Sequence, residues 1–243
     1  MEHQIPAAVR SELVPTDSLR VGVNLGNFLL VNKDPATGEL RGVVPDLAQE
    51  LGRRLDAQVE LIRFPGAGEV ADGAKTGAWD VGFIGAEPQR AEQIAFTPAY
   101  LEIPATYLVP AGSPIQSLAE VDRPGIRIAV SARSAYDLFL SRNLKHAHLM
   151  RAEGIPASFD LFVAQKLEVL SGLLPRLSSE VARLPGARII EGKFTAIQQA
   201  IGTPRGRAAG AAWLREFVAD IKSSGLVARA IARHGVKGVS VAP

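Results

Sequence analysis

LRVGVN (Leu19–Asn24), PDLAQELGRRL (Pro45–Leu55), VELIRF (Val59–Phe64) and WDVGFI (Trp79–Ile84) follow one another along the chain, and their order decides the fold. The first, third and fourth are short apolar runs that predict strands. The second carries Leu47, Ala48, Leu51 and Leu55 at helical spacing. With a second helix expected over Glu69–Lys75, the order is strand, helix, strand, helix, strand, the pattern of a parallel sheet. Gly26, Asn27, Asp34, Pro35, Thr37 and Gly38 predict a loop after the first strand. Gly22 and Gly26 read as turn glycines, because their spacing does not match a dinucleotide-binding fingerprint.

Outward from this block, Phe96–Pro104 is rich in proline and aromatic residues and is expected to be irregular. The same grammar then restarts. Strands are predicted at Arg127–Ser131, His148–Arg151 and Asp160–Ala164, with a helix at Ser134–Leu144. Ser134 and Asp137 have capping-box spacing, which points the backbone N–H groups around Ala135 and Tyr136 outward at a helix start. Arg188–Glu191 and Thr195–Ile201 read as extended. Thr203 and Pro204 are expected as N-cap and first-turn proline of the last long helix, which Gly225 ends. A shorter helix runs to His234 and closes at Gly235. Two α/β lobes follow, residues 1–99 with 193–243 and residues 100–192. The chain crosses between them near Thr97–Ile103 and Glu191–Thr195.

Composition agrees with a folded protein. The 243 residues carry 27 Lys and Arg against 25 Asp and Glu, and 47% are hydrophobic, which excludes a charge-driven disordered chain. Cysteine is absent, so disulfides, thiolate metal sites and a cysteine nucleophile are excluded. No run reaches the roughly 18 apolar residues of a spanning helix. Met1–Leu19 lacks a basic region followed by an apolar stretch, so no secretory signal is visible. From Lys193 onward, eight Lys and Arg face only Glu216 and Asp220, a local net of +6. They interleave with Trp213, Leu214, Phe217, Val218 and Ile221, and that spacing reads as the solvated face of a helix rather than a phosphate site.

Nucleophile-elbow, zinc-protease and P-loop motifs are all missing. His146 and His148 form a pair without a third ligand, so no metal is expected, and His3 and His234 are read as solvated. The informative segment is DVGFIGAEPQRAEQIAFTPAY (Asp80–Tyr100). A buried strand ends at Ile84, then Gly85 and Ala86 precede a helix start with Glu87, Pro88 and Arg90. An arginine fork beside exposed N–H groups at a strand's carboxyl end suits a carboxylate. The alternative is a surface pair between Arg90 and Glu87 at spacing three.

Five segments together carry a resemblance: VGVNLGNFLL (Val21–Leu30), GVVPDLAQELGRRLDAQVEL (Gly42–Leu61), AWDVGFIGAEPQRAEQIAFTPAY (Ala78–Tyr100), SLAEVDRPGIRIAVSARSAYDLFL (Ser117–Leu140) and FDLFVAQ (Phe159–Gln165). From Leu19 to the C-terminal helices the chain resembles family 3 of the bacterial solute-binding proteins, the polar amino-acid receptors of ABC transporters. The resemblance implies the type II periplasmic-binding-protein fold, with two lobes, each a mixed sheet flanked by helices, and two hinge crossovers. It also implies a clamp that closes on a small solute, a periplasmic location, a membrane permease as partner and a monomer without cofactor or nucleic acid. Carried over residue by residue, Arg90 grips the solute carboxylate, while Asn24, Asn27 and Phe28 line the pocket with Phe64, Gly85, Ala86 and Glu87. From the second lobe, Ser131, Arg133, Ser134 and Ala135 supply donors.

Three departures stand out. The acid that family members place after the late strand to hold an ammonium reads Gln165, which points to a carboxylate solute with a less demanding amine. The hydroxyl-rich run before the arginine is Phe83–Ala86, in a loop shorter by about two residues, and a frequent turn glycine is Arg133. Glu87 is a candidate for the missing negative charge. Two other functions compete with transport. A cyclohexadienyl-dehydratase-like enzyme needs a general acid, for which Glu87 or Glu168 would have to serve in place of Gln165. A cytosolic ligand sensor stays open without a visible signal peptide, although the 18 residues before Leu19 are too few for a three-helix DNA-binding module.

Overall fold

The computed structural model describes residues 5–243; His3 lies outside the described residues. The chain forms two compact units. One comprises the chain up to Leu101 together with Gln198–Pro243, and the other is Glu102–Ile197.

The first unit begins with α1 (Ala7–Leu13) and β1 (Ser18–Asn24), followed by the small hairpin β2 (Asn32–Lys33) and β3 (Leu40–Arg41). Then come α2 (Val43–Arg54), β4 (Gln58–Phe64), α3 (Ala67–Thr76), β5 (Val81–Gly85) and α4 (Pro88–Ala91). β1 pairs in parallel with both β4 and β5, the sheet that the strand–helix alternation predicts. The chain leaves this unit within β6 (Ile94–Val109). The expectation of an irregular Phe96–Pro104 is therefore corrected. Both prolines tolerate extended φ, and the β-branched and aromatic side chains Ile94, Phe96, Thr97, Tyr100 and Ile103 favour a strand.

The second unit contains β7 (Arg127–Ser131), α5 (Ala135–Asn143), β8 (His148–Ala152), α6 (Ile155–Ala164), β9 (Val169–Leu173), α7 (Leu174–Val181) and β10 (Arg188–Ile189). β7 is parallel to β8 and β9, while β6 is antiparallel to β9 and β10. Asp160–Ala164, expected as a strand, is the end of helix α6. Pro156 fits its first turn, and Phe159 and Phe162, three residues apart, are buried together on the Leu170 and Leu177 cluster. A short apolar run does not by itself distinguish a helix from a strand.

The chain returns to the first unit within β11 (Thr195–Pro204), which is antiparallel to β5. α8 (Ala208–Ser223), α9 (Leu226–Arg233) and β12 (Ser240–Val241) complete it. Thr203 and Pro204 thus belong to β11 and do not open a helix. The Thr203 hydroxyl donates to the Asp80 carbonyl at 2.9 Å. The first turn of α8 is instead served by Glu12, whose carboxylate accepts from Gly210 N–H at 2.7 Å. Leu214, Phe217, Val218 and Ile221 are buried and Arg215 and Arg229 exposed, so the basic C-terminal stretch does present a solvated face.

The core of the first unit centres on Trp79, whose indole N–H donates to the Val70 carbonyl at 2.8 Å. Gly22 is not a turn residue; it lies within β1, where a Cβ would sit 2.7 Å from Trp79 Cδ1. A close-packed ring cannot yield there. Gly22→Ala is expected to cost about 1–3 kcal/mol, read as a lower urea midpoint with an unchanged slope. An unshifted midpoint contradicts this packing.

Candidate functional site

In the first unit, three parallel strands end at one edge of the sheet. The register sets Asn24 beside Phe64 and Val23 beside Phe83, so the loops after β1, β4 and β5 emerge together. Ligands of open α/β sheets bind at such carboxyl ends. Asn24 Oδ1 accepts from Gly26 N–H at 2.9 Å, a turn closed by a side chain. The Leu25 N–H donates to the Phe64 carbonyl at 2.9 Å. A Cβ on Gly26 would stand 2.9 Å from the Pro65 carbonyl oxygen, so only glycine lets the two loops meet. Asn27 is 8% exposed, and its Oδ1 is buried without a hydrogen-bond donor. An unsatisfied acceptor of this kind costs about 1–3 kcal/mol. Phe28 is half-buried. Phe64 packs against the Trp79 cluster, so its ring serves the core of its own unit.

β5 delivers the charged part of the edge. After Gly85, the Ala86 N–H donates to the Gln198 carbonyl at 2.7 Å. Glu87 is extended and precedes the single turn of α4, with Pro88 at its start. Arg90 is 5% exposed, and its guanidinium donates to the Gly85 carbonyl at 2.7 Å. A backbone carbonyl thereby fixes the plane of a fork that has five N–H donors. Glu87 is 9% exposed and does not cap α4. Both members of the Glu87–Arg90 spacing are thus buried, which a solvated surface pair would not be. A buried guanidinium whose orientation is held by a main-chain oxygen can meet a carboxylate with two parallel hydrogen bonds.

The second unit presents donors of another kind. β7 ends at Ser131, which is buried, and Ala132 N–H donates to the Ala152 carbonyl at 2.9 Å. Arg133 is exposed and has φ 58°, a left-handed conformation that glycine adopts at lower cost. Ser134 caps α5, accepting from Asp137 N–H at 3.1 Å. The reciprocal half of the expected box is displaced by one residue: Asp137 Oδ2 accepts from Arg133 N–H at 2.8 Å. Arg151 Nε holds the other oxygen at 3.0 Å. With Asp137 so engaged, the N–H groups of Ala135 and Tyr136 stand at the start of α5 without intrahelical acceptors. Burial pushes the Tyr136 hydroxyl up to about 12.

Gln165 does not join this group. It ends α6, with its N–H on the Leu161 carbonyl, and lies before β9. The register Ile128↔Val169 and Ala129↔Leu170 makes β7 and β9 run side by side, so Gln165 sits at the edge opposite Ser131 and Ser134. Reading α6 as a strand displaced the expectation by one whole element. The residue that ends the late strand is Leu173, buried and followed by Leu174 and Pro175. Glu168 shares the Gln165 edge. Its carboxylate is held below the usual range chiefly by hydrogen bonding from Arg127, 2.8 Å away, which makes it a poor proton donor. Among the described residues, no cluster of three or more metal-ligating side chains occurs. The Asp122 carboxylate accepts from the N–H groups of Lys145, His146 and Ala147. Among the described residues, no helix is long and apolar enough to cross a membrane.

A model of the bacterial extracellular solute-binding proteins, family 3, matches residues 19–237. The chain is similar to the crystal structure of a mutant ArgBP from T. maritima, with 18% identity, TM-score 0.76, 94% of this chain and 99% of that one covered. It is also similar to the solute receptor for L-cysteine of Neisseria gonorrhoeae, with 20% identity, TM-score 0.77 and coverage of 91% and 92%. A third similar structure is AncCDT-1, described as an ancestral amino acid-binding protein and a precursor of cyclohexadienyl dehydratase, with 19% identity, TM-score 0.74 and coverage of 92% and 97%. At such identities the likeness shows the fold, which is that of the type II periplasmic binding proteins. No curated protein sequence matches the chain.

Proposed function

Because the chain belongs to the bacterial extracellular solute-binding proteins, family 3, we propose that it is the receptor of an ABC-type importer for a small carboxylate solute, amino-acid-like but not a standard amino acid. The observation that carries this reading is Arg90, buried at the carboxyl edge of three parallel strands with its fork oriented by the Gly85 carbonyl. Each unit by itself offers an anion its own donors: Arg90 in the first, and Ser131, Ser134 and the Ala135 amide at the start of α5 in the second. The apolar end of β9 at Leu173 supports a solute whose amine needs no countercharge. Family members are extracellular or periplasmic, and we assign this chain to the periplasm with a membrane permease as partner and a monomeric state.

Binding rather than catalysis is favoured at two of the three candidate acid positions. Glu168 is paired with Arg127 at the opposite edge from Ser131 and Ser134, and Gln165 carries no transferable proton, so only Glu87, buried just before α4, is left as the general acid that a dehydratase requires. A thermal-shift screen of amino acids, opines and small carboxylates, each beside its amide, tests the receptor reading. A ligand at 100 times its dissociation constant adds about 2.7 kcal/mol, several degrees for a chain of this length. Stabilisation by acids and not by their amides is the expected result. The absence of a shift with every carboxylate contradicts it.

A further inference from the structure

Asn27 differs from the other polar residues of the loop after β1. Its N–H donates to the Asn24 carbonyl at 3.2 Å, and its own carbonyl accepts from Leu30 and Val31 at 3.0 Å each. The main chain is thus held on both sides, which fixes where the side chain starts. Asn24, three residues earlier, spends its amide oxygen on Gly26. The amide oxygen of Asn27 is spent on nothing, although the residue is nine-tenths buried. A covered acceptor without a donor is disfavoured and calls for an explanation. Its place supplies one, because this loop leaves the sheet beside the ends of β4 and β5, where Gly85, Glu87 and Arg90 follow.

Resting on the receptor reading above, we propose that Asn27 is a specificity-determining residue whose amide oxygen accepts a hydrogen bond from an N–H or O–H group of the carboxylate solute. A half-turn about the last side-chain bond redirects the oxygen without moving the main chain. The solute is then a hydroxy or amino carboxylate. A plain fatty acid, which has no such donor for Asn27, binds more weakly.

The test is calorimetric titration of the full chain with matched acids: butyrate and pentanoate, each plain, and each with a hydroxyl or an amine at the 2- or the 4-position. Wild type is expected to bind at least one donor-bearing acid about 10-fold or more tighter than its plain parent. Asn27→Leu, of similar size but without an acceptor, is expected to bring that ratio to within about 2-fold. Asn27→Asp keeps an acceptor and adds charge, so it should retain the preference and raise the amine-to-hydroxyl ratio. If Asn27→Leu does not fold, as judged by circular dichroism, Asn27→Asp decides alone, and an unchanged amine-to-hydroxyl ratio overturns the proposal. Equal affinities within each wild-type set, or a preference that survives in Asn27→Leu, overturn the role of Asn27 and leave the receptor reading standing, since carboxylates still bind. Loss of both follows only if no carboxylate binds the wild type in this panel or in the wider screen.

Discussion

Replacing Arg90 with alanine is expected to weaken carboxylate binding by about 100-fold or more, because it removes a desolvated charge and a bidentate hydrogen-bond donor together. The guanidinium is 5% exposed, so little water screens it from an approaching anion. Its contact with the Gly85 carbonyl holds the fork in place before the ligand arrives, and a pre-oriented donor avoids the entropy of ordering a long side chain. Arg90→Lys separates charge from geometry. Lysine keeps the positive charge but offers a point donor in place of a planar fork, so an intermediate loss is expected. Circular dichroism checks that both variants fold, since the Gly85 carbonyl loses its side-chain donor in the alanine variant. Unchanged affinity in Arg90→Ala, measured calorimetrically, contradicts the carboxylate role.

Asp80→Ala is expected to produce the largest loss of stability of any single substitution at the edge of β5. Asp80 is 0% exposed and lies between two arginines. One of its oxygens accepts from Arg20 at 2.8 Å and from Arg207 at 3.1 Å; the other accepts from Arg20 Nε at 2.9 Å and from the Arg20 backbone N–H at 3.3 Å. Its own N–H donates to the Arg20 carbonyl at 2.9 Å. One carboxylate thus ties β1 to the entry of β5 and to the residue before α8. Truncation leaves two partly buried guanidinium groups facing each other without an anion. Breaking a buried pair in this way costs about 3–5 kcal/mol, or roughly 6–20 °C in midpoint for a chain of this length. Differential scanning calorimetry reads the change. A loss under about 1 kcal/mol is incompatible with the geometry, because that is the scale of an exposed pair. Asp80→Asn keeps the shape and one acceptor, so a smaller loss is expected.

Much of this architecture is legible along the chain. The alternation in Leu19–Ile84 yields three parallel strands and two helices because strand and helix periods differ and each leaves its own apolar spacing. The position of Arg90 after β5 is equally local. A strand end, two small residues and a proline place a helix start and its arginine, wherever the rest of the chain goes. Ser134 as the cap of α5 is legible for the same reason, and so are Gly225 and Gly235 beyond the ends of α8 and α9.

Other features were not legible, each for a physical reason. Asp160–Ala164 has too few residues for either period to declare itself, and the burial of Phe159 with Phe162 decides for a helix. That choice moves Gln165 to the wrong edge and puts Leu173 at the end of the late strand. Pro98 and Pro104 suggest a break while the β-branched and aromatic residues around them favour a strand, and only the pairing of the folded chain decides for one 16-residue strand. Thr203 looks like a helix cap until its hydroxyl is seen on the Asp80 carbonyl, and Glu12 takes over the start of α8 from 198 residues away.

The class of the fold, the family resemblance and the arginine at the end of β5 all follow from spacings within a few tens of residues. Only the packed chain shows that Arg90 and Glu87 are buried, that Gly22 makes room for Trp79, that Asp80 is paired twice and that the oxygen of Asn27 is left without a donor. Burial and hydrogen-bond satisfaction depend on which distant segments come to lie over a side chain, and that is a property of the packed chain.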